Sequence, residues 1–135
     1  MNTITVYVDG GAHNNGIPEA KCYGSIAVEY KGEIKKHETY QYPGARTNNQ
    51  AEYDALLSAL DYLNKLRLRA SKPLPPIVIK SDSTLVVNQV NGNWKIKDAD
   101  LKDSYILVRE YLDKSGLNIN ITKVPRDEIV KVLGH

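Results

Sequence analysis

Three carboxylates stand at positions that folding alone does not explain. Asp9 follows the alternating run Thr3 to Val8 and precedes Gly10-Gly11, and Asp82 follows the β-branched run Ile77 to Lys80. Each is expected at the C-terminal end of a strand, where open sheets keep their ligand crevice. Glu52 shares the i, i+4, i+7, i+8 and i+11 spacing with Leu56, Ala59, Leu60 and Leu63, which puts it on the inward face of a helix. Converging carboxylates repel one another, and a bare buried charge is costly, so the group calls for a raised pKa or a cation. Hard oxygen ligands suit Mg²⁺ or Mn²⁺ better than zinc. Two such ions about 4 Å apart would activate a water and stabilise the leaving oxygen in an in-line displacement at a phosphodiester.

Taken singly, each acid has a local explanation. Asp9 before glycine is a common turn former, Asp82 before Ser83-Thr84 could cap a helix, and Glu52 near a helix start could answer the helix dipole. The combination in one small chain is what points to metal-assisted chemistry.

The elements that must position these acids are legible in outline. Strands are predicted over Thr3 to Val8, Ala20 to Tyr30 and Ile34 to Tyr42, the last two joined through Lys31-Gly32-Glu33. Thr47-Asn48-Asn49-Gln50 has the form of a capping box, opening a helix that should end near Arg69, before the Pro-rich stretch Lys72 to Pro76. A short strand over Ile77 to Lys80, a short helix up to Asn91-Gly92, a helix over Leu101 to Lys114 and a strand through Leu117, Ile119 and Ile121 complete the pattern. The order β-β-β-α-β-α-α-β predicts an α/β fold with a mixed sheet, antiparallel at first and parallel later.

Size and composition narrow the remaining options. A chain of 135 residues, 41% hydrophobic and 25% charged, is expected to form one domain spanning 1-135 and to bury a core unaided. It has no apolar run of the roughly 20 residues that a membrane helix needs. Met1 to Val8 has no signal-peptide pattern, so a cytoplasmic location and no membrane partner are expected. Cys22 is expected to be a buried thiol. The net charge of +2 gives little whole-chain attraction to a polyanion. His13 is expected in a loop and His37 exposed on a strand; neither forms a nucleophile dyad, and no glycine-rich phosphate loop is present.

The same residues resemble the ribonuclease H type 1 family over Tyr7 to Arg126. Val8-Asp9-Gly10-Gly11 with Asn14-Asn15-Gly16 resembles its first motif, Thr47-Asn48-Asn49-Gln50-Ala51-Glu52 its T-N-N-x-x-E signature, and Asp82-Ser83 its third motif. Val124-Pro125-Arg126 is similar to the V-P-R segment of small prokaryotic members, while the extra basic helix of some members is absent after Asn91 to Lys95. The resemblance implies a ribonuclease H-like mixed five-stranded sheet flanked by helices, with Asp9, Glu52 and Asp82 as catalytic metal ligands. It implies that Asn15, Asn48 and Asn49 contact the nucleic acid and that Thr47 helps to hold a DNA phosphate. The implied cofactor is Mg²⁺ or Mn²⁺, as two ions. The implied activity is endonucleolytic hydrolysis of the RNA strand of RNA–DNA hybrids by a monomer.

One part of the pattern departs from the family. Its fourth carboxylate, several residues after V-P-R, would fall at Val132-Leu133, so the C-terminal tail reads as shortened. Asp127, Glu128 and His135 are weak candidates to replace it: the two acids stand early and read rather as a solvated helix start, and His135 as a terminal residue. The alternative expectation is therefore a catalytically weakened or inactive module that still binds hybrids. Trp94, beside Lys95 and Lys97, is given no role.

Overall fold

A computed structural model describes residues 2–13, 21–43 and 47–134. Asn15, with its neighbours Asn14 and Gly16, and His135 lie outside the described residues. The elements are β1 (Ile4–His13), β2 (Lys21–Tyr30), β3 (Glu33–Tyr42), α1 (Asn48–Arg69), β4 (Ile77–Ser81), α2 (Thr84–Val90), α3 (Ala99–Lys114), β5 (Ile119–Lys123) and α4 (Arg126–Leu133).

The five strands form one mixed sheet in the order β3-β2-β1-β4-β5. β1, β2 and β3 are antiparallel neighbours, whereas β4 joins β1, and β5 joins β4, in parallel. The parallel joints need crossovers, and the helices supply them. The two-residue turn between β2 and β3 has positive φ at both Lys31 and Gly32 (52° and 78°), the hand that matches strand twist.

Two apolar layers hold the sheet. On one face Val6, Val8, Ile26 and Ile79 pack with Leu56, Leu60 and Leu63 of α1, Val86 of α2 and Val108 of α3. On the other, Tyr7 and Ala27 pack with Val124, Ile129 and Leu133, which brings α4 against β1 and β2. Full burial of each such aliphatic side chain contributes about 1.5–3 kcal/mol. A buried hydrogen bond of 2.7 Å from the Tyr53 hydroxyl to Gln89 Oε1 links α1 to α2 within the first layer.

The predicted elements need two corrections. β1 does not stop at Val8: its pairing with β2 continues through Asp9, Gly10 and Gly11 to His13. Its parallel ladder with β4 ends much earlier, the last pair being Tyr7 with Lys80. Asp9 therefore stands where β1 has lost one neighbour and kept the other, and His13 is the last residue of a strand rather than part of a loop. The second correction is α4, absent from the predicted order. Its buried residues Ile129 and Leu133 are one helical step apart, and exposed Val130 obscures that stripe in the sequence.

Candidate active site

The register of the central strands brings the first two acids together. Two residues beyond the Tyr7–Lys80 pair on each parallel strand lie Asp9 and Asp82, so their backbones are neighbours at the carboxyl end of the β1–β4 pair. Asp9 is buried, and Asp82 directly follows β4. Asp82 does not cap α2, because Ser83 does so, its hydroxyl accepting from the Val86 N–H.

Glu52 reaches the same point from α1 through a notch in the sheet. Gly10 and Gly24 are paired across β1 and β2. A β-carbon on Gly10 would lie 2.2 Å from the Ala51 carbonyl oxygen, and one on Gly24 would lie 2.5 Å from the Tyr42 hydroxyl and 3.0 Å from the Ala55 β-carbon. Glycine at both positions lets the start of α1 settle onto the backbone of the strands. The Gly10 N–H then donates to Glu52 Oε1. Glu52 lies beyond the first turn of α1, so it is not a dipole-answering acid there.

One oxygen from each of Asp9, Glu52 and Asp82 lies within 4.8 Å of the others. Around an octahedral Mg²⁺ with bonds of roughly 2.1 Å, ligand oxygens stand about 3.0 Å apart when adjacent and about 4.2 Å apart when opposite, so this all-oxygen group could hold a small hard cation by closing inward on it. Among the described residues no further Asp, Glu, His or Cys joins the group. Asp127 is exposed, and Glu128 pairs instead with Lys80 at 3.0 Å.

The electrostatics mark the group as strained without a cation. Burial first, then the charges of Asp9 and Asp82, push the Glu52 carboxyl up to about 9, against a smaller opposing effect from the Gly10 N–H. Arg126, the first residue of α4, supplies a counter-charge: its Nη1 donates to Asp9 Oδ1 at 2.9 Å and to Asp82 Oδ2 at 3.0 Å. Burial pulls the guanidinium down, but the bonds to Asp82 and Asp9 outweigh it and hold the group above its ordinary pKa.

Thr47, Asn48 and Asn49 border the site at the start of α1. The predicted capping box is formed, with Thr47 Oγ1 accepting from the Gln50 N–H at 3.1 Å and Gln50 Oε1 from the Thr47 N–H at 2.8 Å. Asn48 and Asn49 are exposed, and Asn48 Oδ1 accepts from the Ala12 N–H at 2.8 Å, tying the helix start to the far end of β1. Trp94 is exposed, in the loop between α2 and α3.

Sequence reasoning missed two residues here. Arg126 was visible only as part of a resembling segment, with nothing to tell that it would bridge two acids. Tyr23 pairs with Gly11, and its ring covers that glycine so closely that a β-carbon would lie 2.7 Å from the hydroxyl. Burial, followed by the charge of Asp9, raises the Tyr23 phenol. No periodicity or motif marks it, because its position depends on the β1–β2 register.

The fold has its counterpart among known proteins. The RNase H family model matches residues 1–129. The chain belongs to that family. It is 36% identical to the ribonuclease HI of Halobacterium salinarum over 124 residues, covering 91% of this chain and 57% of that protein. The bifunctional protein Rv2228c of Mycobacterium tuberculosis is 32% identical over 123 residues, covering 91% of this chain and 31% of that protein. The chain thus spans between about a third and somewhat over half the length of these relatives. Among solved structures, LC11-RNase H1, isolated from compost by a metagenomic approach, superposes with a TM-score of 0.83 at 28% identity, covering 97% of this chain and 90% of that one. The same enzyme in complex with an RNA/DNA hybrid matches with a TM-score of 0.78 at 29% identity, covering 95% and 89%. The RNase H sheet expected from the sequence is thereby borne out. Among the described residues, no helix is long and apolar enough to cross a membrane.

Proposed function

We propose that this member of the RNase H family is a metal-dependent endonuclease that hydrolyses the RNA strand of RNA–DNA hybrids. The observation that carries this reading is the convergence of Asp9 of β1, Glu52 of α1 and Asp82 just after β4 on one point with oxygens no more than 4.8 Å apart. The hybrid complex formed by LC11-RNase H1, a protein of closely similar fold, supports the choice of substrate.

Asp9, Glu52 and Asp82 would hold the cation, Mg²⁺ or Mn²⁺. When bound, it supplies Lewis-acid activation of a water and stabilisation of the leaving oxygen, in the two-ion form if a second ion binds beside the first. The residues of the chain do the rest. The notch at Gly10 and Gly24 fixes Glu52 against β1, and the sheet register fixes Asp9 beside Asp82. Thr47, Asn48 and Asn49 are assigned to the hybrid, since a capped helix start and the exposed amides of Asn48 and Asn49 suit phosphate and sugar hydroxyls, and Asn15 is assigned there by the family resemblance. The ribose 2′-hydroxyl separates RNA from DNA, and contacts of this kind carry little base information, so sequence preference is low. The protein is taken to act as a cytoplasmic monomer.

One observation favours a second reading, a weakened or inactive hybrid-binding module. Only three acids converge among the described residues, leaving a second ion with few protein ligands. The reading is tested by titrating Mg²⁺ and Mn²⁺ over a labelled hybrid: product at either ion supports the nuclease, and hybrid binding without product at any concentration supports the module.

A further inference from the structure

Arg126 does something that a surface arginine ordinarily does not: a single nitrogen, Nη1, sits between a carboxylate of β1 and one just after β4, 2.9 Å from Asp9 and 3.0 Å from Asp82. The Asp9 side chain is 4% exposed and that of Asp82 13%, so the two acids are largely withdrawn from water. The arginine side chain is 51% exposed. It grows from the first residue of α4, whose packing depends on Ile129 and Leu133 further along, so it can leave the acids without moving the helix.

The same two acids, with Glu52, are the group that fits a cation. The guanidinium engages one oxygen of each Asp, Asp9 Oδ1 and Asp82 Oδ2, and a divalent ion brought to the same acids is repelled by it at this range. We propose that Arg126 is a placeholder cation, which neutralises Asp9 and Asp82 in the metal-free protein and is displaced when the ion binds. The inference rests on the metal-site reading above and adds that ion binding is an exchange of one positive group for another. The arginine thus lowers the apparent affinity for the ion while keeping the empty acids paired.

The direction of the effect separates this role from a structural one. An arginine that merely shaped the site would, on removal, leave the acids disordered and weaken ion binding. A competing arginine, on removal, strengthens it.

The test is calorimetric titration of Mn²⁺ into the full chain without nucleic acid, comparing wild type, Arg126→Gln and Arg126→Lys at one pH, with folding checked by circular dichroism. The expected result is binding about three- to tenfold tighter in Arg126→Gln, the worth of an ion pair that no longer has to be broken, with Arg126→Lys close to wild type. Equal or weaker binding in a folded Arg126→Gln overturns the exchange. A second measurement needs no variant: saturating Mg²⁺ should shift the side-chain nitrogen resonances of Arg126 in the wild type, and unchanged resonances at saturation overturn the exchange as well. Failure of the wild type to bind either ion overturns the metal site itself, and the exchange with it, and so is distinguishable from the other outcomes.

Discussion

Gly10 lies beneath Ala51 with no room for a side chain: a β-carbon there would stand 2.2 Å from the Ala51 carbonyl oxygen and 2.7 Å from the Glu52 amide nitrogen. The contact is backbone against backbone, so nothing at the end of a flexible chain can yield. It is also what lets the Gly10 N–H reach the Glu52 carboxylate. Gly10→Ala should therefore push the start of α1 off the sheet, costing about 2–3 kcal/mol as overpacking does. Urea unfolding measures the cost, and calorimetry should show weaker Mn²⁺ binding in the same variant. Wild-type values for both would mean that the notch does not set the position of Glu52.

Neutralising one acid isolates its role from its fold. Asp82 follows β4 and leaves the capping of α2 to Ser83, so Asp82→Asn should fold normally. It should lose metal-dependent cleavage by at least about a hundredfold, because a ligand is gone while the protein is intact. Near-wild-type cleavage by Asp82→Asn would remove it from the metal group.

The pH dependence follows from Glu52. Its carboxyl is pushed from 4.5 up to about 9 by burial and by the charges of Asp9 and Asp82. Between those values the folded, metal-free protein keeps a proton that the unfolded chain has released. The native state thus binds more protons, so stability is present in full below the unfolded value and is lost as pH rises through the folded one. In chelator, Tm should fall from pH 5 to pH 9, and Glu52→Gln should flatten that fall. A divalent ion must displace the proton, so its apparent affinity should rise with pH by up to about tenfold per unit. A Tm profile of the opposite slope in wild type, with Glu52→Gln unchanged, would contradict the assignment.

The link between α1 and α2 is open to a quieter test. Tyr53 is fully buried and Gln89 is 4% exposed, joined at 2.7 Å. Tyr53→Phe leaves the Gln89 oxygen without this donor and should cost about 1–3 kcal/mol in thermal or urea unfolding. Loss of less than a few tenths of that would mean that the bond contributes little to holding the helices together.

These outcomes reflect how unevenly the molecule is written into its sequence. The meeting of Asp9, Glu52 and Asp82 was legible because each follows a local pattern, an apolar strand run before each Asp and a helical spacing for Glu52, although β1 itself continues past Asp9. The capping box at Thr47 and Gln50 was legible for the same reason, since both partners lie within four residues. Arg126 and Asp9 are separated by 117 positions, and nothing local ties one to the other. The extension of β1 beyond Val8 depends on pairing with β2, so the glycines that resemble a turn in sequence are strand residues in space. Gly10 shows the same limit from the other side, because its need for close approach exists only once α1 is seated on the sheet. α4 was legible only as a helix start at Asp127 and Glu128, because eight residues with two buried anchors leave too short a stripe.

The central claim is metal-dependent cleavage of RNA paired with DNA. It is tested most directly by incubating the protein with a labelled RNA–DNA hybrid, single-stranded RNA and duplex DNA, each with Mg²⁺, with Mn²⁺ and with chelator. The expected result is cleavage of the hybrid's RNA strand alone, with either or both ions, and none in chelator. Intact hybrid under every condition, or cleavage that persists in chelator, would contradict it.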